Sequence, residues 1–241
     1  MSVFVLTVPA EAQRPRPLGW AMDAMRSGNW DAAAALAARD GQVAADVIEW
    51  HRLRAGRGSY ADTRDFLNRR PDWPGEAYLR RQSEAAVIKQ GESEILDFFS
   101  AMAPQTPRGV LAHAEALINS GQRGEAEANL VLAGRTMPMN ASSQALFTEA
   151  HGSLLAPHHA ARLEEMLWQR EHSEARQMFD LVSSADKALA ETRIALQKLE
   201  SDVNAKIDAL PASKADAPGL AHDRFEWRIR KGLREDAKEL M

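Results

Sequence analysis

The sequence of 241 residues contains no cysteine, which excludes disulfide bonds and any reaction that needs a thiolate. This absence leaves the cellular compartment open, because many exported proteins also lack disulfides. Only two tyrosines occur, and valine and isoleucine are sparse beside alanine and leucine. Strands favour β-branched and aromatic residues, whereas alanine, leucine, arginine and glutamate favour helices. The composition therefore predicts an all-α protein.

Two further properties of the sequence limit the partners that it can bind. No stretch is apolar over the roughly 20 residues that a membrane-spanning helix needs. The formal net charge is −4, which does not favour a broad electrostatic contact with nucleic acid or anionic lipid. We therefore expect neither a nucleic-acid partner nor a transmembrane segment.

The short motifs of common active sites are also missing, since no G-x-G-x-x-G, P-loop, H-E-x-x-H or G-x-S-x-G occurs. His158 and His159 are adjacent, and adjacent helical residues point in different directions, so they form a poor joint metal site. Glu92-Ser93 is an acid followed by serine, as in some glycan-cleaving sites. Its position directly after Gly91 and before an apolar run fits a helix start better. No catalytic, cofactor-binding or metal-binding residue is predicted.

Residues 1–17 are interpreted as a signal peptide remnant followed by a tail. The run Val3–Val8 is apolar, and Ala10-Glu11-Ala12 has the small-x-small form of a signal-peptidase site. No Lys or Arg precedes this run, and the run is short for the apolar core of a signal peptide. An ordinary tail is the alternative, whereas the first interpretation predicts export.

Residues 18–241 are predicted to form helices joined in pairs by short turns. This prediction rests on apolar spacing and on Gly and Pro between the segments. The predicted pairs are Leu18–Arg26 with Trp30–Arg39, Ala44–Ala55 with Tyr60–Arg69, Glu76–Gln90 with Ser93–Met102, Pro107–Ser120 with Arg123–Ala133, and Ala160–Gln169 with Ser173–Val182. A longer helix is expected at Asp186–Leu199, a loop at Pro211–Gly219, and a last pair that begins at Leu220 and turns near Lys231-Gly232.

Several of these pairs share one pattern. The segments are GWAMDAMRSGNWDAAAALA, IEWHRLRAGRGSYADTRDFL, AEALINSGQRGEAEANLVL, LEEMLWQREHSEARQMFDLV and FEWRIRKGLREDAKELM. Each has large apolar residues on its first helix, a short turn that often contains Gly, and a small or apolar residue where the second helix approaches the first. Ala33, Ala126, Ala175 and Ala237 occupy that position. Turn-to-turn distances vary around the ~34 residues of a tetratricopeptide unit.

No single pair of this kind can bury its apolar side alone. We therefore expect the pairs to stack into an α/α superhelix, a degenerate solenoid of the tetratricopeptide type. The concave face of such a superhelix is where we expect any protein partner.

The break around Pro71 separates two predicted helices. Pro71 lacks an N–H and disfavours helical geometry at the residue before it, so the preceding helix should end there. Asp72 is expected to cap the next helix, with Pro74 in its first turn. Trp73 is expected to fill the gap between two pairs, and the alternative is a tryptophan that stacks on a sugar.

Arginine clusters occur at residues 51–57, 68–70, 79–81 and 224–234. We expect their side chains to bridge adjacent helices with buried aliphatic stems, and contact with an anionic polymer is the alternative. No aromatic ladder accompanies them, so single-stranded nucleic acid is not expected.

Six phrases follow one another along the chain, and together they carry a resemblance. They are IEWHRLRAG with FLNRRPDWP (48–74), LRRQSEAAV (79–87), FFSAMAPQTPRG (98–109), LLAPHHAARLEEMLWQ (154–169), RIALQ (193–197) and APGLAHDRFEWRIRKG (217–232). In this order and spacing they resemble the N-terminal superhelical region of soluble lytic murein transglycosylases, particularly the proteobacterial form. The resemblance covers nearly everything after about Leu18.

The resemblance implies a periplasmic protein with a long α-superhelix, curved into a U or ring, followed by a lysozyme-like domain. That domain of the family cleaves peptidoglycan glycan strands between N-acetylmuramic acid and N-acetylglucosamine. One glutamate acts as acid and then as base, and a 1,6-anhydro sugar forms. The family's catalytic glutamate lies in an E-S motif that is followed by a G-L-M-Q-type segment.

That combination does not occur in this sequence. Glu92-Ser93 lies in the superhelical part, so the catalytic role is not assigned to it. His158 stands where an acidic residue is more usual in the family. We therefore expect the front part of such an enzyme, incomplete at its C-terminal end and inactive alone, whose contact with glycan strands depends on a catalytic domain absent from this chain.

Two other interpretations remain. The chain can be a free-standing helical-repeat adaptor that binds a protein or peptide in its concave face. It can also be a cytoplasmic helical protein with an uncleaved N-terminal tail.

Overall fold

A computed structural model gives the structure of the protein and describes residues 17–238. Every regular element in this range is helical, and no strand occurs in it. The predicted all-α class is therefore confirmed. The predicted signal peptide remnant lies outside the described residues except for Pro17, which begins the first helix. Between residues 17 and 238, no helix is long and apolar enough to cross a membrane.

The chain divides into two compact units, residues 1–102 and 103–241. The first unit contains α1 (Pro17–Arg26), α2 (Trp30–Ala38), α3 (Gln42–Arg54), α4 (Tyr60–Arg69), α5 (Glu76–Val87) and α6 (Glu92–Ser100). The second contains α7 (Pro107–Asn119), α8 (Arg123–Thr136), α9 (Ala141–Leu155), α10 (His159–Trp168), α11 (His172–Gln177), α12 (Ser184–Gln197), α13 (Val203–Asp208), α14 (Ala212–Ala215), α15 (Pro218–Arg230) and α16 (Arg234–Lys238). A 3₁₀ turn at Ala156–His158 joins α9 to α10.

The turns inside the helix pairs repeat one backbone geometry. The second residue after the first helix is left-handed, with φ of 80° at Gly28, 85° at Gly121 and 80° at Gly232. The next N–H then donates to the carbonyl five residues earlier, in the pairs Asn29 to Ala24, Gln122 to Leu117 and Leu233 to Arg228. This turn satisfies backbone carbonyls at the end of the helix, and glycine adopts it without strain.

The same turn forms after α10 without a glycine. Arg170 is left-handed there at φ 61°, and the N–H of Glu171 donates to the Met166 carbonyl. A residue with a side chain pays roughly 1–2 kcal/mol for this conformation. The repeat inferred from the sequence thus recurs as a backbone geometry, even where its usual residue is missing.

The small residues predicted at the close approach of two helices are buried. Ala33, Ala126, Ala175 and Ala237 have almost no exposed surface. Ala33 belongs to a core cluster of α1, α2 and α3, and Ala175 belongs to one formed by α10, α11 and α12. A larger side chain at these positions would push the helices apart, because protein interiors are close-packed.

Within each unit, helices pack mainly on their neighbours in the chain. In the first unit α1 packs on α2, α2 on α3, and α3 on both α4 and α5. In the second unit α7 packs on α8 and α9, α8 on α9 and α10, α10 on α11 and α12, and α12 on α15. This arrangement fits stacked helical pairs inside each unit, while the superhelix stays a prediction.

The break between α4 and α5 only partly follows the prediction. The helix α4 ends before Pro71 as expected, and Arg70 leaves the helical region with φ −136°. The predicted cap at Asp72 is wrong, because α5 begins only at Glu76, after the left-handed Gly75. Pro74 therefore precedes the helix instead of standing in its first turn.

Two other predictions of secondary structure were incomplete or wrong. The helix α9 was not predicted, because its apolar residues do not keep to one face of the helix. The predicted loop Pro211–Gly219 contains α14, and it also contains the first residues of α15. Pro218 stands at the start of α15, where the missing N–H costs nothing, so here proline marks a helix start.

Candidate functional site

The two motifs considered in the sequence as candidate sites, Glu92-Ser93 and His158-His159, both lie at helix ends. Glu92 is the first residue of α6 and is exposed, as expected for helix initiation after Gly91. His158 ends the 3₁₀ turn and His159 begins α10, and both are half-buried. Among residues 17–238, no three histidine, aspartate or glutamate side chains come together as metal ligands.

A buried charged cluster in the second unit joins α10, α12 and α15. Arg193 on α12 is fully buried, and its Nε donates to Asp223 Oδ2 of α15 at 2.6 Å. Its Nη1 donates to Glu164 Oε1 of α10 at 2.6 Å. Its guanidinium also lies 5.1 Å from the ring centroid of Trp168, which is 45% exposed. We call these four residues, with Gln197, the Arg193 cluster.

Gln197 adds further hydrogen bonds to the Asp223 side of the Arg193 cluster. Its amide nitrogen donates to both carboxylate oxygens of Asp223 at 3.0 Å and to the Leu167 carbonyl at 3.0 Å. Its amide oxygen lies 2.7 Å from Nε2 of His172 on α11. The Asp223 carboxylate is thus enclosed by donors, with only 1% of its side chain exposed.

This enclosure decides what the Arg193 cluster can do. A general acid must reach a substrate, and Asp223 has no open side through which it could do so. A buried ion pair instead fixes the helices that carry its members, because removing one partner leaves an uncompensated charge. The Arg193 cluster is therefore a positioning element for α10, α12 and α15.

A second buried carboxylate performs the same task in the first unit. Asp46 on α3 accepts hydrogen bonds from Arg70 Nε at 2.6 Å, from Arg69 Nη2 at 3.1 Å and from Gln42 at 2.9 Å. Burial alone would raise the pKa of Asp46, but the hydrogen bonds from these three donors hold it below its usual value. The arginines at the C-terminal end of α4 are thereby tied to α3.

Other arginines of the predicted clusters also bridge helices. The Arg54 guanidinium of α3 stacks on Trp50 at 4.2 Å and on Tyr78 of α5 at 4.7 Å. Arg80 of α5 donates to the Phe98 carbonyl of α6 at 3.1 Å. The expectation that arginines bridge adjacent helices is confirmed for these side chains.

Trp73 lies half-buried between α4 and α5, against the ring of Phe66. The two ring centroids are 5.6 Å apart in an edge-to-face arrangement. The guanidinium of Arg70 lies 5.8 Å from the Trp73 centroid. These contacts fit the predicted packing role.

Arg162 on α10 is buried in a different way, at the C-terminal end of α8. Its Nη1 donates to the carbonyls of Gly134 and Met137, both at 2.9 Å. The carbonyls at a helix end carry partial negative charge, so they offset part of this positive charge without a carboxylate in direct contact. The Nε and Nη2 atoms of Arg162 are buried and have no hydrogen-bond partner among the described residues. Burial lowers the pKa of Arg162 to about 10, which leaves it charged at neutral pH.

The second unit also has an open groove between α7 and α9, with a volume of about 510 Å³. Leu111, Glu115 and Ile118 of α7 line one side. On the other side, α9 contributes Leu146, Glu149, Ala150 and His151. Leu111, Glu115 and Ile118 are four and three residues apart, and Glu149 and Ala150 are three and four residues after Leu146, so each of these sets lies on one face of its helix. Both walls thus combine apolar side chains with a glutamate. We call it the α7/α9 groove.

The helix α9 bends at the edge of this groove. His151 has φ −138° and ψ 25°, which interrupts the helical backbone. Burial lowers the pKa of His151, so its ring is neutral at pH 7. The charges of the α7/α9 groove at neutral pH are therefore the carboxylates of Glu115 and Glu149.

Sequence reasoning missed both the α7/α9 groove and the pairing inside the Arg193 cluster. The signal for the cluster was present, because Arg193 and Asp223 both lie in phrases that carry the family resemblance. The signal for the groove was the near absence of charged residues between Met137 and Leu155.

The fold and these sites define an all-α protein of helical pairs, joined by buried ion clusters and bearing one described apolar groove. No protein-family model, no curated protein and no solved structure matches the chain.

Proposed function

We propose that the chain is the superhelical scaffold region of a periplasmic soluble lytic murein transglycosylase. In this role it supports glycan-strand cleavage by a catalytic domain outside these 241 residues. The glycan strand is the substrate of that domain, and the helical region holds the domain in place on peptidoglycan.

The observation that supports this proposal is the meeting of the phrases that carry the resemblance. Arg193 and Gln197 of RIALQ bind Asp223 of APGLAHDRFEWRIRKG, and Arg193 also binds Glu164 of LLAPHHAARLEEMLWQ. These contacts span 26 to 30 residues of sequence. A scaffold keeps its shape through such contacts between helices, so their residues are the ones that a scaffold family would share.

Contacts in the first unit support it in the same way. Arg80 of the phrase LRRQSEAAV donates to the carbonyl of Phe98, which begins FFSAMAPQTPRG. Its guanidinium also lies 5.1 Å from the Phe98 ring centroid. Two phrases that were recognised separately thus form a single contact between α5 and α6.

The proposal is tested on the native product in its own cells. Antibodies raised against this chain should capture a protein well above 26.6 kDa, and the captured protein should release 1,6-anhydromuropeptides from murein sacculi. The purified chain alone should release none. Capture of an inactive product of the chain's own mass would refute the proposal, and release by the chain alone would reveal an active site within it. Fusion of residues 1–17 to a reporter that is active only after export tests the periplasmic location.

A free-standing adaptor is the second candidate, and the α7/α9 groove is the observation that favours it. A complete adaptor should elute as one monodisperse species in size-exclusion chromatography. A fragment of a longer superhelix should instead self-associate through the apolar sides of its last helices.

A further inference from the structure

The solvent side of α9 is unusual for an exposed helix. Of its exposed residues only Glu149 is charged, and the others are Ala141, Ser142, Ala145, Leu146, Thr148, Ala150 and Ser153. A helix that faces only water normally carries several charged residues on that side. Only Phe147 and Leu155 of α9 are buried, so its apolar residues are not explained by the core of the unit.

We infer that the α7/α9 groove is a docking site for an amphipathic helical segment that carries Lys or Arg beside its apolar stripe. The inference rests on the groove itself and does not depend on the transglycosylase proposal. It gives a chemical identity to the partner that the adaptor interpretation leaves open.

The α7/α9 groove is bordered by two helices, an arrangement in which an amphipathic helix can bind. Its two walls run along α7 and α9, which pack against each other in the same unit. Leu146 on one wall is 38% exposed, while Leu111 and Ile118 on the other are half-buried. A helix in such a groove inserts apolar residues spaced three and four apart, and Leu111, Ile118 and Leu146 provide apolar surface for them on both walls.

The charges of the groove select a cationic partner. Glu115 and Glu149 stand on opposite walls, and neither carboxylate has an ion-pair partner within residues 17–238. The helix α9 contains no Lys or Arg, and the one such residue of α7 is Arg108 in its first turn. With His151 neutral, the groove is negative at pH 7, so Lys or Arg beside an apolar stripe complements it.

The test uses the full chain and two fluorescent synthetic peptides of about 14 residues, long enough for four helical turns. Both peptides carry leucines at positions i, i+3, i+4 and i+7. One has lysines beside this stripe, and the other has glutamates at the same positions. Fluorescence anisotropy should show binding of the lysine peptide and at least about tenfold weaker binding of the glutamate peptide.

Variants locate the binding site. Leu146→Asp should abolish binding, whereas Leu132→Asp should not change it, because Leu132 on α8 is 62% exposed but does not line the groove. Glu115→Gln and Glu149→Gln should each weaken binding about two- to fivefold, the range of exposed ion pairs. Circular dichroism checks that each variant keeps its helical content.

Several results would overturn the inference. Failure of the lysine peptide to bind, equal binding of both peptides, or undiminished binding to Leu146→Asp would each do so. Sedimentation velocity provides a further check. Suppose that the chain self-associates through a contact that Leu146→Asp abolishes and that the lysine peptide does not displace. In that case the occupant of the groove is a second copy of the chain, and the inference is wrong. Loss of transglycosylase activity in the sacculus assay would leave these results unaffected.

Discussion

The replacement Gly219→Ala tests whether the Arg193 cluster holds the second unit together. Gly219 is the second residue of α15 and is buried. A methyl group there would overlap the guanidinium of Arg193, with Nη2 only 2.7 Å away. Arg193 cannot easily yield, because it is fully buried and bonded to Asp223 and Glu164, each at 2.6 Å.

The expected cost follows from the contacts that Arg193 would lose. Breaking a buried ion pair costs about 3–5 kcal/mol, because it leaves an unpaired charge in the core. The bond to Glu164 adds little, since that carboxylate is 42% exposed and exposed pairs contribute about 0–1 kcal/mol. Alanine regains up to about 1 kcal/mol as a better helix former than glycine. Gly219→Ala should therefore lower the free energy of unfolding by about 2–4 kcal/mol.

The assay is urea unfolding followed by far-ultraviolet circular dichroism, with an unchanged m-value. Gly124→Ala is the matched control, because Gly124 is also the second residue of its helix, α8, and has no neighbour within 4 Å of the added methyl. It should be neutral or stabilise by up to about 1 kcal/mol. In an Arg193→Met background the cost of Gly219→Ala should largely disappear. If Gly219→Ala behaves like Gly124→Ala, the cluster does not hold the guanidinium as described.

Three further predictions concern stability, and all are measured by the same urea unfolding. Asp46→Asn should lower the free energy of unfolding by about 2 kcal/mol at pH 7, less than a fully buried pair because its arginines contact water. Since the folded pKa of Asp46 is depressed, this contribution is present above the unfolded value of about 3.8 and is lost as pH falls through the folded value, so the difference from wild type should shrink in acid. Ala126→Leu should lower the free energy of unfolding by about 1–3 kcal/mol by overpacking. Ala128→Leu in the same helix should be neutral, because Ala128 is exposed. Equal effects of the two substitutions would contradict the close approach of the two helices at Ala126. Arg170→Gly should stabilise by up to about 1 kcal/mol and Gly121→Ala should destabilise by a similar amount, because both positions are left-handed. Destabilisation by Arg170→Gly together with no loss of stability in Gly121→Ala would refute the shared turn.

The parts of the fold that could be predicted from the sequence depend on local geometry. A turn with a left-handed residue needs glycine at one position, as at Gly28 and Gly121, and the close approach of two helices needs a small residue such as Ala33. These requirements act within about ten residues, so their pattern is visible in a single sequence. The helical pairs and their buried alanines were predicted for this reason.

The buried ion pairs could not be assigned in the same way. Arg193 lies 29 residues from Glu164 and 30 from Asp223, and many arginines and carboxylates of this chain could have formed the pair. Only the packing of α12 on α10 and α15 selects the partners. The sequence therefore indicated that arginines bridge helices, but it did not indicate which helices they bridge.

The helix α9 shows why a failed prediction can identify a surface. Helix prediction from one sequence relies on apolar residues that face the core and charged residues that face water. In α9 the apolar residues Leu146 and Ala150 face outward, and its exposed side carries only one charge, so that pattern is absent. A helix that exposes a leucine and several alanines beside a single charge has an outer side suited to contact with a partner. The outward position of Leu146 and Ala150, which hid α9 from sequence analysis, is therefore also one of the observations behind the proposed docking at the α7/α9 groove, and Leu146→Asp tests that docking.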